Sequence, residues 1–245
     1  MKAEPFAILY QDEDIIAVHK AAGLLVAADR WDTEAERLDV LLQTALKEAG
    51  QQSTLYAVHR IDKDTSGVLI YARNTESHRA LNTAFQNRAV HKTYHALVHG
   101  CVRSHAFTVT LPLRADGDAL HRTVVDKRRG KEAVTLCTVL ESYRQFTLIE
   151  AQPVTGRTHQ IRVHLAQSGY PIVCDPLYGS KEPVYLSALK PKWHGDPYTE
   201  RPLIRRLALH AARIECMHPR NHTELSVTAA YPKDFKSLIH QLQKL

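Results

Sequence analysis

The chain has 245 residues, with 32 Lys and Arg against 26 Asp and Glu and a formal net charge of +6. Its hydrophobic content of 44% and charged content of 24% are typical of folded globular proteins, which excludes wholesale disorder. The modest positive charge permits a polyanionic partner, but it fits an ordinary solvated basic surface equally well.

Short runs rich in β-forming residues recur along the chain and predict strands. The polar stretch between the first two runs, at residues 11–14, predicts a tight hairpin. The predicted strands fall at residues 7–10, 15–19, 55–58, 68–72, 93–98, 134–140, 146–151, 207–214 and 225–227.

Four helices are predicted between and after these strands. The first spans residues 36–49 and is followed by Gly50 as a C-cap, and the second begins after Asn74 as an N-cap. The other two span residues 158–167 and 233–243. Clustered strands with interspersed helices indicate the α+β class, with a mixed, largely antiparallel sheet flanked by helices.

Neither an internal repeat nor a linker divides the sequence, which predicts a single domain over residues 1–245. Residues 181–202 are rich in proline, tryptophan and charge, and they predict a long surface excursion. Such an excursion fits a functional loop and a tolerated insertion equally.

The glycines and cysteines exclude several classes of protein. The closest glycines, Gly169 and Gly179, are ten residues apart, so neither a Rossmann G-x-G-x-x-G nor a Walker G-x-x-x-x-G-K motif exists. The four cysteines form no C-x-x-C pair, which excludes a zinc ribbon and suits a reducing compartment. The first residues lack the long apolar segment typical of a signal peptide, and the sequence contains no apolar run of about 18 residues. We therefore expect a cytoplasmic protein without membrane contact.

The densest polar stretch, His-Arg-Ile-Asp-Lys-Asp-Thr-Ser-Gly at residues 59–67, lies between two predicted strands. Asp62 has basic neighbours there, and Thr65 and Ser66 are able to hydrogen bond the local backbone, as a rigidly held acid requires. An ordinary Asx-type turn gives the same pattern. A kinase catalytic loop is excluded, because Ile61 separates Arg60 from Asp62 and no D-F-G sequence occurs.

A second polar stretch, Gly-Arg-Thr-His-Gln-Ile-Arg-Val-His-Leu at residues 156–165, predicts a turn that leads into a helix. Arg157 is then expected at the helix N-terminus, a position that suits a phosphate. Apolar residues four apart form the buried side, which leaves Arg162 on another side. Arg162 is a candidate partner for Asp62, and solvent-exposed arginines are the alternative.

Three histidines, His91, His95 and His99, recur at intervals of four. The surrounding residues favour a strand, on which these side chains form a row too extended for one metal ion, so we expect no metal site. Tyr94 lies in the same strand. It is either a half-buried sheet aromatic or a platform on which a nucleobase stacks.

Taken together, four motifs resemble the RluA family of RNA pseudouridine synthases. They are the stretch at residues 59–67, Lys-x-Tyr at 92–94, the stretch at 156–164 and Leu-His-Ala at 209–211, in the order of the family. The resemblance runs from about residue 8 to residue 218. It implies an isomerase that detaches uracil from its ribose, rotates the base and rejoins it through carbon, without a metal or organic cofactor.

The resemblance also implies roles for individual residues. Asp62 matches the catalytic aspartate, as nucleophile or base, Arg162 the arginine that orients it, and Tyr94 the tyrosine that stacks on the target base. Arg60 matches an arginine that fills the space left by a flipped uridine, and Leu209 an apolar residue beside the flipped base. The further residues expected to bind substrate are His59, Thr65, Arg157, His159 and Gln160.

The sequence departs from the family pattern at two places. Lys-Ala-Ala-Gly at residues 20–23 replaces Lys-Pro-x-Gly, and Pro-Ile-Val-Cys-Asp at residues 171–175 replaces Pro-Ile-x-Gly-Asp. Some relatives carry an N-terminal S4-type RNA-binding module, and we expect none here because the first predicted strand begins near residue 7. RNA recognition is therefore expected from the catalytic domain itself.

We expect a monomer that modifies a stem-loop of rRNA or tRNA, with basic residues 127–131 and 201–206 holding the RNA backbone. One alternative is an RNA-binding protein of the same fold that performs no isomerisation. Another is a metal-dependent hydrolase that uses the histidines, although the sequence lacks a compact ligand motif.

Overall fold

The computed structural model describes residues 4–27, 35–51 and 54–245, and its mostly antiparallel sheet and five helices confirm the predicted α+β class. The strands are β1 (Phe6–Gln11), β2 (Ile15–Lys20), β3 (Tyr56–Ala57), β4 (Ser66–Ala72), β5 (His91–His99), β6 (Ala106–Val109), β7 (Leu113–Arg114), β8 (Val124–Val125), β9 (Thr135–Ser142), β10 (Phe146–Pro153), β11 (Leu209–Met217) and β12 (Glu224–Thr228). The helices are α1 (Leu38–Glu48), α2 (Thr75–Gln86), α3 (Gln160–Gln167), α4 (Leu186–Leu189) and α5 (Lys233–Leu242).

The chain forms two compact units. The first comprises Met1–Thr93 and Ala211–Ala230, and the second comprises Tyr94–His210 and Tyr231–Leu245. The chain passes from the first unit to the second within β5 and returns within β11. That residues 1–245 act as one catalytic domain stays a prediction.

In the first unit, β1, β2, β4 and β11 are neighbours in that order, while β3 pairs with β4 and β12 with β11. The predicted hairpin between β1 and β2 is confirmed, and the Asp12 carboxylate closes it by accepting the N–H groups of Asp14 and Ile15, each at 2.8 Å. β4 is buried along its whole length. It is therefore the central strand on which a preceding loop can be fixed.

Both helices of the first unit follow local sequence signals. α1 buries Leu38, Leu42 and Leu46, and Gly50 follows its end with a φ of 74°. The side chain of Asn74 caps α2 by accepting the N–H of Ser77 at 2.8 Å, as predicted.

In the second unit, β5, β10, β9 and β6 are neighbours in that order. Its apolar core includes Leu97 of β5, Ile149 of β10, Leu165 of α3 and Phe235 of α5. The two-residue strands β7 and β8 form a separate hairpin that the sequence patterns did not predict. Residues 181–202 run mainly over the surface and carry the short helix α4.

One helix start differs from the expectation, and one departure from the family pattern falls on unusual backbone. α3 begins at Gln160 rather than at residue 158, because His159 adopts the left-handed region with a φ of 53°. Cys174 also has a positive φ, of 56°, and it stands where the family pattern has glycine. The departure at residue 174 therefore places a side chain on backbone that favours glycine.

All four cysteines are free, and Cys101 is the exposed one. No helix of the described part of the chain is long and apolar enough to cross a membrane. The cellular compartment of the protein stays a prediction.

Candidate active site

The predicted site residues fall into two groups. His59, Arg60, Asp62 and Thr65 lie in the first unit, on the loop of residues 58–65 that joins β3 to β4, here named the Asp62 loop. The remaining six lie in the second unit. Four of these belong to residues 155–167, named the Arg162 segment, and the full set is Tyr94, Arg157, His159, Gln160, Arg162 and Leu209.

His59 anchors the start of the Asp62 loop. Its Nε2 accepts the backbone N–H of Ile70 in β4 at 3.1 Å, and its ring stacks on Phe85 of α2 with centroids 4.9 Å apart. Burial, with a smaller effect of the Lys92 charge, lowers the pKa of His59 from 6.5 to about 3. His59 is therefore a neutral side chain that fixes the loop to the central strand.

The backbone around Asp62 is held at two neighbouring carbonyls. The Asp62 carbonyl accepts the N–H of Thr65 at 3.1 Å, which closes a tight turn. The Lys63 carbonyl accepts two bonds of 2.8 Å, one from the N–H of Gly23 and one from the Lys20 ammonium. The half-buried Asp62 side chain thus projects from a backbone that has little freedom to move.

The Lys20 ammonium is unusual because the Lys20 side chain is fully buried. Besides the Lys63 carbonyl, it donates to the carbonyls of Ala21 and Leu24, both at 2.9 Å. All three ammonium protons therefore have acceptors, which offsets the cost of burying the charge. The same bonds tie the turn after β2 to the Asp62 loop.

Thr65 acts differently from the expectation. Its hydroxyl is buried and has no hydrogen-bond partner among residues 4–27, 35–51 and 54–245, so the predicted bond from that hydroxyl to the nearby backbone is wrong. The turn uses the Thr65 N–H instead. Arg60, by contrast, is an exposed side chain of the same loop.

Gly67 follows the Asp62 loop and permits a close approach of two strands. Its φ is 121°, and an added Cβ would lie 2.1 Å from the carbonyl oxygen of Ala211 in β11. No side chain fits there. The direction in which β4 leaves the Asp62 loop therefore depends on this glycine.

Gln160 organises the start of the Arg162 segment. Its Oε1 accepts the Arg157 N–H at 3.0 Å and the Thr155 hydroxyl at 2.7 Å. Its Nε2 donates to the Val134 carbonyl at 2.9 Å and to the Thr135 hydroxyl at 3.0 Å. Both ends of this buried amide are thus occupied by protein groups.

Arg157 does not take the predicted place. Because α3 begins at Gln160, Arg157 lies before the helix, its N–H is already donated to Gln160, and its Nε donates to the Glu132 carbonyl at 2.9 Å. The predicted phosphate-binding position, with the Arg157 guanidinium at the N-terminus of a helix, is therefore wrong.

Arg162 is buried, not solvent-exposed, because all residues from Gln160 to Leu165 are buried in α3. The expected separation of Arg162 from a buried side of the helix is therefore wrong. Its Nε donates to Asp175 Oδ2 at 2.9 Å and its NH2 to Asp175 Oδ1 at 2.8 Å. Burial raises the pKa of Asp175, but the hydrogen bonds and charge of Arg162 outweigh burial and lower it.

Tyr178 lies against the same arginine, with the Arg162 Cζ 5.2 Å from the centre of the Tyr178 ring. The Tyr178 hydroxyl accepts the N–H of Thr123 at 3.0 Å and shares a hydrogen bond of 2.9 Å with His159 Nδ1. His159 is thus part of this cluster. Whether Arg162 also pairs with Asp62 stays a prediction.

Tyr94 and Leu209 belong to the sheet of the second unit. Tyr94 is half-buried on β5 and packs against the core cluster to which the buried Leu209 of β11 belongs. Both positions fit plain packing as well as contact with a base.

Sequence reasoning missed Lys20, Asp175 and Tyr178. A lysine that ends an apolar strand gives no sign of burial, but an aspartate directly after the apolar residues 171–174 does, because a buried carboxylate requires a cation. That signal was available for Asp175. No signal in the sequence identified its partner, Arg162, which lies thirteen residues earlier in the chain.

Within the described ranges, the side chains with the spacing of metal ligands are Asp12, Asp14 and His218, not the β5 histidines. Asp12 Oδ2 already accepts the Tyr10 hydroxyl at 2.7 Å and pairs with His218 Nε2 at 2.8 Å. Burial raises the pKa of Asp12, but its hydrogen bonds outweigh burial and bring it to about 2. This cluster holds the β1–β2 hairpin in place.

Comparison with known proteins gives a consistent set of matches. A family model described as RNA pseudouridylate synthase matches residues 14–167, a range that includes Asp62, Tyr94 and Arg162. The chain is 35% identical over 247 residues to the uncharacterized RNA pseudouridine synthase YlyB of Bacillus subtilis, covering 99% of this chain and 75% of that protein. It is 36% identical over 248 residues to ribosomal large subunit pseudouridine synthase D of Xanthomonas campestris, covering 98% and 70%.

Solved structures agree with the sequence matches. Human RNA Pseudouridylate Synthase Domain Containing 4 superposes with a TM-score of 0.70 and 26% identity, over 97% of this chain and 93% of that one. Human RNA Pseudouridylate Synthase Domain Containing 1 gives a TM-score of 0.68 and 25% identity, over 94% and 84%.

Proposed function

Because this chain belongs to the RluA family of RNA pseudouridylate synthases, we propose that it isomerises uridines of large-subunit ribosomal RNA to pseudouridine, with Asp62 as the catalytic aspartate. The observation that carries the proposal is the Asp62 loop. Its backbone is fixed at the two carbonyls of Asp62 and Lys63, and Asp62 is a half-buried residue of that loop. A carboxylate presented in this way is suited to act on a bound nucleotide.

Ribosomal RNA is the substrate class favoured by the names of relatives, one of which is a ribosomal large subunit pseudouridine synthase. A tRNA stem-loop is the second candidate substrate within the same reaction. Unpaired loop bases suit either case, because extruding them costs less than extruding paired bases.

The proposed reaction is balanced within the nucleotide. The bond from N1 of uracil to C1′ of ribose breaks, the base turns, and a bond forms from C5 to C1′. The proton at C5 leaves and N1 carries a proton in the product, so no atoms are gained or lost. We therefore propose that a metal or organic cofactor is not required.

Within this reaction, Asp62 acts as nucleophile or base at the sugar, and Arg162 is the arginine proposed to keep it ionised and oriented. Tyr94 and Leu209 are the proposed contacts of the extruded base, and Arg60 the residue that replaces it in the RNA. For His59 and Gln160 we propose a structural role instead of substrate binding, because their contacts lie within the protein. They shape the Asp62 loop and the Arg162 segment from within the protein.

We propose that the turn at residues 127–131 binds the RNA backbone. Lys127, Arg128, Arg129 and Lys131 are exposed, and none has a carboxylate partner among the described residues. Asp126 shapes the turn by accepting the N–H groups of Arg128 and Arg129. Binding through such cations is expected to weaken steeply as salt rises.

Residues 201–206 are expected to contribute less to RNA binding than the sequence suggests. Arg206 is committed to Asp234 through two bonds, of 2.7 and 2.8 Å. Arg201 and Arg205 remain as exposed cations of that stretch.

The test is to incubate the purified protein with unmodified ribosomal RNA and with tRNA, in the presence of a metal chelator, and to map pseudouridine by carbodiimide adducts and primer extension. Asp62→Asn keeps the shape of the side chain and removes its charge, so activity is expected to fall by about 10³-fold or more. Asp64→Asn, in the same loop, is the matched control and keeps wild-type activity.

Pseudouridine from wild type and Asp64→Asn alone supports the proposal. Equal signal from Asp62→Asn overturns the role of Asp62. Tight RNA binding without pseudouridine on either RNA favours the binding-only alternative, and modification of tRNA alone replaces the ribosomal substrate.

A further inference from the structure

We infer that Asp175 and Tyr178 are positioning residues that hold the Arg162 guanidinium in one orientation for the reaction. The inference rests on the proposed function, and in particular on the role given there to Arg162. Neither residue is expected to touch RNA. Both act through the arginine.

The contact between Asp175 and Arg162 fixes the plane of the guanidinium group and not only the position of one of its atoms. Two parallel bonds, from Nε and from NH2 to the two carboxylate oxygens, remove rotation of the guanidinium about its own bonds. The side chains are 4% and 0% exposed, so water does not compete for these bonds. The remaining guanidinium donors therefore point in a direction set by Asp175.

Asp175 is itself held independently of Arg162. Its Oδ1 also accepts the backbone N–H groups of Leu177 and Tyr178, at 2.9 and 3.2 Å. The carboxylate is thus attached to its own turn and provides a fixed seat for the arginine. A carboxylate held only by Arg162 would move with it.

Tyr178 restrains the arginine from a second direction. Its ring lies 5.2 Å from the Arg162 Cζ, and its hydroxyl is held by the Thr123 N–H and His159 Nδ1. The ring therefore has a fixed position over the guanidinium. Together with Asp175 it limits both the plane and the displacement of Arg162.

Stability alone does not account for this arrangement. Replacing a buried ion pair by apolar residues of similar volume is often neutral or stabilising, because burying two charges is costly. The neighbouring positions Ile161, Val163 and Leu165 show that buried positions of α3 also accept apolar side chains. A buried, doubly restrained arginine is better explained by a need to present its charge accurately.

The experiment compares Asp175→Asn and Tyr178→Leu with wild type, each alone and combined with Arg162→Lys. Single-turnover rates on ribosomal RNA and RNA dissociation constants are measured, with thermal unfolding to identify folded variants. Asp175→Asn is expected to lower the rate about 100-fold and Tyr178→Leu about 10-fold, with unchanged RNA affinity. Neither is expected to lower the rate further in the Arg162→Lys background.

A readout independent of activity is the NMR signal of the Arg162 Nε–H group, assigned by its loss in Arg162→Lys. Wild type is expected to give a slowly exchanging signal, and both variants a rapidly exchanging one. If Asp175→Asn does not fold, Tyr178→Leu decides the question.

Losses that multiply in the double variants would overturn the inference, as would an unchanged rate in a folded Asp175→Asn. If wild type itself forms no pseudouridine, the proposed function fails while the exchange of the Arg162 signal still tests the restraint. A rapidly exchanging signal in wild type contradicts it.

Discussion

In the Asp62 loop the restraints act on the backbone, whereas in the Arg162 segment they act between side chains. The loop is fixed by bonds to the carbonyls of Asp62 and Lys63 and by the strand direction that Gly67 permits. The segment is fixed by the Gln160 amide and by the pair of Arg162 with Asp175. Different kinds of substitution are therefore expected to displace Asp62 and Arg162.

The two regions are therefore sensitive to different substitutions. A backbone clamp fails when an atom is added where two chains touch or when a donor to a carbonyl is removed. A side-chain network fails when a charge or an amide is replaced, even without any change of volume. Substitutions at Gly67, Lys20 and His59 are expected to disturb the Asp62 loop.

The largest effect is expected from Gly67→Ala. The added Cβ meets the Ala211 backbone and the φ of 121° is strained for alanine, so the free energy of unfolding should fall by about 4 kcal/mol. The matched control is Gly23→Ala, which has a φ of 93° but, among the described residues other than its chain neighbours, no atom within 4 Å of the added Cβ. It should lose about 1 kcal/mol. Equal losses in urea unfolding would show that conformation, and not the close approach, governs Gly67.

The next effect is expected from Lys20→Met, which leaves three carbonyls without their buried donor. The free energy of unfolding should fall by about 3 kcal/mol, and the rate on RNA by about 10-fold, because the Lys63 carbonyl loses one restraint beside Asp62. Lys47→Met, at an exposed position of α1, should change the free energy of unfolding by less than about 0.5 kcal/mol. If Lys20→Met kept wild-type stability and rate, the Lys20 ammonium would not restrain the Asp62 loop.

The smallest effect concerns pH and His59. Because the pKa of His59 is lowered from 6.5 to about 3 in the folded protein, the unfolded chain binds a proton that the folded one does not between these values. Stability from this group is complete above about pH 6.5 and is lost as pH falls toward 3. In His59→Gln, whose amide oxygen can still accept the Ile70 N–H, the loss of stability across that range should be smaller.

Urea unfolding of both proteins at several pH values between 3.5 and 7.5 measures this difference, with those pH values spanning roughly the titration range. At the upper end both side chains are neutral, so any constant offset reflects packing on Phe85. Parallel pH dependence of the two proteins would contradict a His59 side chain that stays neutral in the folded protein.

Local signals made much of the fold predictable. The hairpin at residues 11–14, the Asn74 cap and the start of α5 after Pro232 each depend on residues close in sequence. The start of α3 was not predictable, since nothing in the sequence shows that His159 takes a left-handed conformation. Two-residue strands such as β7 and β8 are too short to show alternation.

The candidate residues were predictable as motifs, but their partners were not. The residue types around Asp62 and Arg162 indicate a charged site, whereas the buried Lys20 and the pairing of Arg162 with Asp175 depend on contacts between distant parts of the chain. The saturated amide of Gln160 is a further example, because a glutamine in a polar motif suggests contact with substrate.

We propose that this chain isomerises uridine through Asp62, and loss of the C5 hydrogen reports that reaction directly. Ribosomal RNA labelled with tritium at C5 of uridine is incubated with wild type, Asp62→Asn and Asp64→Asn, and tritium released into water is counted. We predict about one tritium released per modified site with wild type and Asp64→Asn, and only background with Asp62→Asn. Equal release from Asp62→Asn, or no release from wild type that binds the RNA, would contradict it.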